Sequence, residues 1–111
     1  MRVLFVCHYN RKRSATAERV FGKDPALDVR SAGTSEDALV RVNERMLDWA
    51  EVIFIMDEEQ REHLSRMFPA HPAFQRIVCL GIQDQYDFLD PELVALLRER
   101  TAAYLARPDQ A

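Results

Sequence analysis

The sequence predicts a doubly wound α/β fold: three layers, with a four-stranded parallel sheet in the order 2-1-3-4 at the centre. Two observations carry this. Short apolar runs rich in branched and aromatic residues alternate four times with stretches whose apolar residues fall at helical spacing. The runs also differ in a way that ranks them. Residues 52–56 are unbroken apolar, as a central strand covered on both faces must be. Residues 27–32 alternate, with Asp28 and Arg30 directed outward, as at a sheet edge. Right-handed crossovers then place the second strand outside the first, and winding reverses between strands one and three.

Taken in order, residues 2–7 form the first strand. A loop follows, then a helix over residues 14–21 with Ala17, Val20 and Phe21 on one face and Gly22 at its end. Lys23-Asp24-Pro25 is a connector to the edge strand, and residues 33–37 are polar loop. A second helix is expected over residues 38–49, where Leu39, Val42, Met46, Trp49 and Ala50 share a face. After the central strand, Asp57 with Gln60 has the form of a capping box and opens a helix burying Leu64, Met67 and Phe68. Residues 69–74, containing Pro72, break the pattern before a fourth strand at 76–80. An acidic loop over 81–89 leads to Asp90-Pro91, which starts a last helix with Leu93, Val94, Leu97, Thr101, Tyr104 and Leu105 inward. Trp49 and Tyr104 read as core aromatics.

Residues 1–111 are read as a single domain, long enough for one core. No apolar run approaches the ~20 residues that span a bilayer, and no signal-peptide pattern precedes the first strand, so a cytoplasmic location without membrane association is expected. The net charge of −3 is unevenly spread: residues 1–30 carry seven Arg/Lys against three Asp/Glu, and residues 31–111 carry eight against fifteen. Three of the seven cluster at Arg11, Lys12 and Arg13. Nucleic-acid binding needs a broader basic face; a focused anion site on an acidic body fits this distribution. Of the two cysteines, Cys79 reads as core packing and Cys7 as a free thiol. His63 and His71 read as surface residues.

The loop from Cys7 to Ser14 joins a strand to a helix and holds Cys-x5-Arg-Ser. Such a turn points backbone N–H groups into one concavity, and the helix N-terminus adds partial positive charge. A phosphate dianion fits there, with Arg13 supplying a bidentate grip. The same field favours the thiolate form of a sulfur at its centre, aligned for in-line attack on phosphorus. His8 contributes its backbone N–H, and Asn10 suits a left-handed turn. Doubly wound sheets bind ligands at the carboxyl ends of strands beside the winding reversal, and Cys7 lies there.

Cys7-x5-Arg13-Ser14 with Ala17-Glu18 behind it resembles the low-molecular-weight protein tyrosine phosphatases. Ser31-Ala32-Gly33-Thr34 resembles that family's SAGT stretch, and residues 50–57 its third strand with the Met-Asp ending. The likeness is nearest to compact members whose loop reads C-x-x-N-R-x-R-S. Tyr9 stands where the family usually has glycine, Lys12 where it often has a second cysteine, and a supporting histidine after the SAGT stretch has no counterpart. The resemblance implies a phosphomonoesterase acting on phosphotyrosine protein or a small aryl phosphate through a phosphocysteine, with inorganic phosphate as product or ligand. It implies no cofactor and no metal. His8, Tyr9, Asn10, Arg11, Lys12, Arg13 and Ser14 form the phosphate loop, with Asn10 and Ser14 orienting the nucleophile Cys7.

A general acid is needed for the leaving oxygen. Asp84 in Ile82-Gln83-Asp84-Gln85-Tyr86 is preferred; Asp90 is the alternative, although N-capping already explains Asp90-Pro91. Tyr86 and Phe88 would wall the cleft. Two other readings remain: a non-catalytic module that binds phosphoanions or phosphopeptides, and an arsenate reductase-like enzyme using Cys79 as a second thiol.

Overall fold

The computed structural model describes residues 1–105. Val3, Leu4, Phe5 and Val6 are wholly shielded from solvent, which a strand achieves only with a neighbour on each edge and a layer on each face. Strand β1 (Arg2–Cys7) meets both conditions. It pairs in parallel with β2 (Asp28–Gly33) on one side and β3 (Val52–Ile55) on the other. The sheet is completed by β4 (Ile77–Cys79) against β3, in the order β2-β1-β3-β4.

Alternation along β1 sorts the core into two. Val3, Phe5 and Cys7 face α1 (Arg13–Phe21) and α4 (Pro91–Leu105), meeting Ala17, Phe21, Leu93 and Leu97. Leu4 and Val6 face α2 (Glu44–Trp49) and α3 (Glu58–Met67), meeting Leu47 and Leu64. Phe5 stacks on Phe21 at 5.4 Å and on Phe54 at 5.2 Å between centroids, fixing α1 over β1 and β3. Each such pair adds about 0.5–1.5 kcal/mol beyond area burial. Among the described residues no helix is long and apolar enough to cross a membrane.

Several expected elements change. The second helix is six residues, not twelve-odd: Asn43 accepts from Met46 N at 3.0 Å and starts it. Before it the chain runs extended beside β2, with Gly33 N donating to Val40 O at 2.8 Å and Val42 N to Gly33 O at 2.9 Å. Those bonds use the backbone groups a helix would need, so Leu39 and Val40 stand exposed instead of facing the core. A 3-10 turn, Pro72–Arg76, fills the expected break. Gly22 keeps right-handed helical angles, so α1 does not end in a left-handed glycine cap. Tyr104 is 49% exposed and makes an edge contact to Phe54 in the core; Trp49 is half-buried under the Arg30 guanidinium. The capping box of Asp57 and Gln60 is present in full.

The carboxyl ends of the strands are tied together by short backbone bonds: Thr34 N to Cys7 O at 3.0 Å, Ser35 N to His8 O at 2.9 Å, and Ile82 N to Met56 O at 2.7 Å. Gly33 makes this possible. A Cβ there would stand 2.5 Å from the His8 carbonyl oxygen and 2.7 Å from the Ala38 Cβ. Gly33→Ala should therefore lower stability by about 1–3 kcal/mol in chemical denaturation, the usual cost of overpacking. An unchanged midpoint would mean that the ends of β1 and β2 are not held this closely.

Candidate active site

The loop between β1 and α1 is shaped by Asn10, whose φ of 58° is left-handed. Asparagine tolerates that region better than most residues. The turn aims the Asn10 amide at Cys7 Sγ, 3.2 Å away, and buries its side chain. Asn10 Nδ2 then donates to Ser14 Oγ at 2.8 Å and to Ser31 Oγ at 2.9 Å.

These bonds have a sense, set from one end. Glu18 Oε1 accepts from Ser31 Oγ at 2.8 Å, and a carboxylate can only accept. Ser31 thus spends its proton on Glu18 and receives Asn10, which fixes the amide. Ser14 Oγ, which accepts from Asn10, donates to the Ala32 carbonyl at 3.3 Å and lies 2.9 Å from Cys7 Sγ. The Asn10 amide therefore donates to the sulfur, and the Ser14 hydroxyl lies against it.

Arg13 opens α1 and is 3% exposed. Its Nη1 carries two bonds at 2.8 Å, to Asp57 Oδ2 and to the Ile82 carbonyl. Both protons of that nitrogen are spent. Among the described residues Nε and Nη2 have no hydrogen-bond partner; Asp84 Oδ1 lies 3.8 Å from Nε, an ion-pair distance only. The residue at the N-cap of α1, Lys12, makes no side-chain capping bond, so the first-turn amides lack the acceptor such a cap supplies. Cys7, Tyr9, Arg11, Lys12, Arg13 and Asp84 line one cleft of about 210 Å³, with Cys7 nearly covered. An anion entering it would meet the forked edge of Arg13 and the uncapped helix end together.

Not every expected site residue is here. Asp84 reaches the cleft, whereas Asp90 caps α4, accepting from Glu92 N at 2.9 Å, and does not line it. Tyr86 and Phe88, expected as cleft walls, do not line this cleft. Tyr86 packs against the core beside α4, and Phe88 lines a separate groove with Ala15, Glu18 and Arg19. The loop carrying them folds down over α1, where Leu89 N donates to Thr16 Oγ1 at 2.9 Å. Tyr9, 44% exposed, is the aromatic on the rim instead. The His8 ring leaves the cleft for a groove with Thr34 and His63. Lys12 Nζ lies 3.7 Å from Asp87 Oδ1, both groups open to solvent, a contact of little energetic weight.

Sequence reasoning gave no site role to Asp57, Glu18 or Ser31. Asp57 reads fully as a helix cap, and the cap leaves its second oxygen for Arg13. Position at the carboxyl end of the central strand, beside the expected anion site, was the usable signal.

No protein-family model matches the chain, and no curated protein matches it in sequence. Solved structures do match. The low-molecular-weight protein tyrosine phosphatase SP-PTP from Streptococcus pyogenes superposes with a TM-score of 0.77 at 20% identity, over 96% of this chain and 92% of that one. The tyrosine phosphatase Wzb from Escherichia coli K30, in complex with phosphate, gives 0.74 at 19% identity over 93% and 94%. The YwlE arginine phosphatase from Geobacillus stearothermophilus gives 0.70 at 22% identity over 94% and 92%.

The two thiols provide a test of the site. Burial pushes the Cys79 thiol up, with the Glu58 carboxylate adding to the rise. Iodoacetamide at neutral pH should alkylate Cys7 roughly tenfold or more faster than Cys79. Exposure alone gives the reverse order, since Cys7 is buried and Cys79 half-buried. Faster loss of Cys79 in peptide mapping would remove the argument that the loop activates Cys7.

Proposed function

We propose that this chain, whose fold is that of the low-molecular-weight protein tyrosine phosphatases, is a phosphomonoesterase that cleaves aryl phosphates, phosphotyrosine among them, through a phosphocysteine. The observation that carries the reading is the Arg13 guanidinium. One nitrogen is fully engaged by Asp57 and Ile82, and the remaining fork is left at the wall of the cleft floored by Cys7. That fork matches two oxygens of a phosphoryl group as a lysine would not.

In this mechanism Cys7 Sγ attacks phosphorus in line with the ester oxygen, forming S–P as P–O breaks. Arg13 and the first-turn amides of α1 hold the equatorial oxygens, stabilising charge that spreads in the transition state. Asp84, half-exposed beside Arg13 Nε, gives its proton to the departing phenolate. Water then attacks phosphorus, Asp84 takes its proton, and S–P breaks to return the thiolate and release phosphate. The Tyr9 ring at the rim favours an aryl leaving group, on which it can stack. Glu18 and Ser31 supply the support for Asn10 that the missing histidine would have given, which favours turnover over simple anion binding. A thiol relay for arsenate reduction finds no second sulfur here. Cys79 packs on the opposite face of the sheet from Cys7, two strands away.

Wild-type protein should hydrolyse p-nitrophenyl phosphate without added metal. Cys7→Ser should abolish turnover, and Asp84→Asn should lower kcat by about 10²–10⁴, the usual share of a general acid, while Asp90→Asn stays near wild type. Phosphate binding with no turnover in the wild type would make the chain a phosphoanion-binding module instead.

A further inference from the structure

Behind the phosphate loop, on the side away from the cleft, two imidazoles and a carboxylate converge. His8 Nδ1 lies 3.4 Å from Thr34 Oγ1, and His63 Nδ1 lies 3.1 Å from the same oxygen. Glu59 Oε1 is 3.9 Å from His8 Nδ1. One ligand atom from each of His8, Glu59 and His63 falls within 4.8 Å of the others. The parts come from three separate elements: His8 follows the nucleophile directly, Thr34 follows β2, and Glu59 and His63 are one turn apart on α3. That i, i+4 spacing puts both α3 side chains on one face of the helix.

We propose that His8, Glu59 and His63 form a binding site for a divalent transition-metal ion, zinc being the natural occupant, with Thr34 Oγ1 or water in the fourth position. Two imidazole nitrogens and one carboxylate oxygen are a common zinc donor set, with the fourth position left open. Thr34 Oγ1 lies within reach of both ring nitrogens and so stands where a fourth oxygen ligand would. Tetrahedral zinc needs bonds of about 2.0–2.2 Å, so the donors must draw in by about 1 Å. Glu59, with a side chain 58% exposed, can make that adjustment by rotamer change. Glu36 offsets one of the two arginines of the groove, Arg41 and Arg66, and Glu59 brings a second negative charge as a ligand. A second acidic cluster, Glu44, Asp48 and His71, does not compare. Both His71 nitrogens are already used, Nε2 on Asp48 and Nδ1 on Ala73 N, each at 2.9 Å.

An ion held here would strap the residue next to Cys7 onto α3 and the end of β2. This stands apart from the phosphatase reading, because binding is measured without substrate. Zinc would be titrated by calorimetry into the full chain carrying Cys7→Ser and Cys79→Ser, so that thiolate binding cannot contribute. One zinc per chain is expected, with thermal unfolding moved upward by saturating zinc. His63→Ala and Glu59→Gln, both on the face of α3 turned toward His8, should each weaken zinc at least tenfold and remove the thermal shift; Asp48→Asn should change neither. Retained affinity in both α3 variants, or its loss in Asp48→Asn, would overturn the assignment, as would the absence of any stoichiometric binding.

Discussion

A guanidinium that is 3% exposed has to be paired, and the way Arg13 is paired governs the architecture around Cys7. Its Nη1 bridges Asp57, at the start of α3, and Ile82, just beyond β4, while its own backbone begins α1. Three segments that leave the sheet at the carboxyl ends of β1, β3 and β4 are thereby locked to one another. Breaking a buried pair by removing one partner costs about 3–5 kcal/mol in general; Asp57, with 32% of its side chain exposed, belongs at or below the low end. The same anchoring gives the other edge of the guanidinium a fixed direction. Pre-organisation of that kind costs no reorganisation when an anion arrives.

The second constraint is directional. Glu18 and Ser14 on α1, Ser31 on β2 and Asn10 on the loop form a chain in which the Ser31 hydroxyl and the Asn10 amide are oriented once the carboxylate is taken as acceptor. Buried networks of this sort are stabilising only when each member is satisfied, and all four are. The left-handed turn at Asn10 is therefore over-determined by side-chain bonds, which is how a sparsely populated backbone conformation persists. Loop shape and sulfur environment depend on one set of bonds.

Much of the fold was legible because its signals are local. Buried strands at residues 3–6 and 52–55 announce themselves as unbroken apolar runs, and the Asp57–Gln60 box marks a helix start by spacing alone. Edge character in β2 followed from the alternation of Asp28 and Arg30. The second helix was overextended because Leu39 and Val42 fit a helical period, while the competing pairing with Gly33 depends on a segment far from any local pattern. For the site, the structure brings together Cys7, Asn10 and Ser14, with Arg13 beside them, the residues that loop spacing singles out. The partners Asp57 and Glu18 were hidden, since each has a complete local explanation and acquires its other contact only through the tertiary fold. The places of Tyr86 and Phe88, outside the cleft, were hidden for the converse reason: an aromatic in a loop has no local signal for whether it faces a cleft or packs down on a helix.

On the proposed reading an oxyanion would complete the arrangement, by capping the first turn of α1 and occupying Nε and Nη2 of Arg13. A crystal structure of the protein soaked in phosphate examines that directly. The account predicts a single anion above Cys7 Sγ, bound by Nε and Nη2 of Arg13 and by loop amides, with Nη1 still on Asp57 and Ile82. Phosphate bound elsewhere with this cleft empty, or an Arg13 that swings away from Asp57 to reach it, would contradict the account.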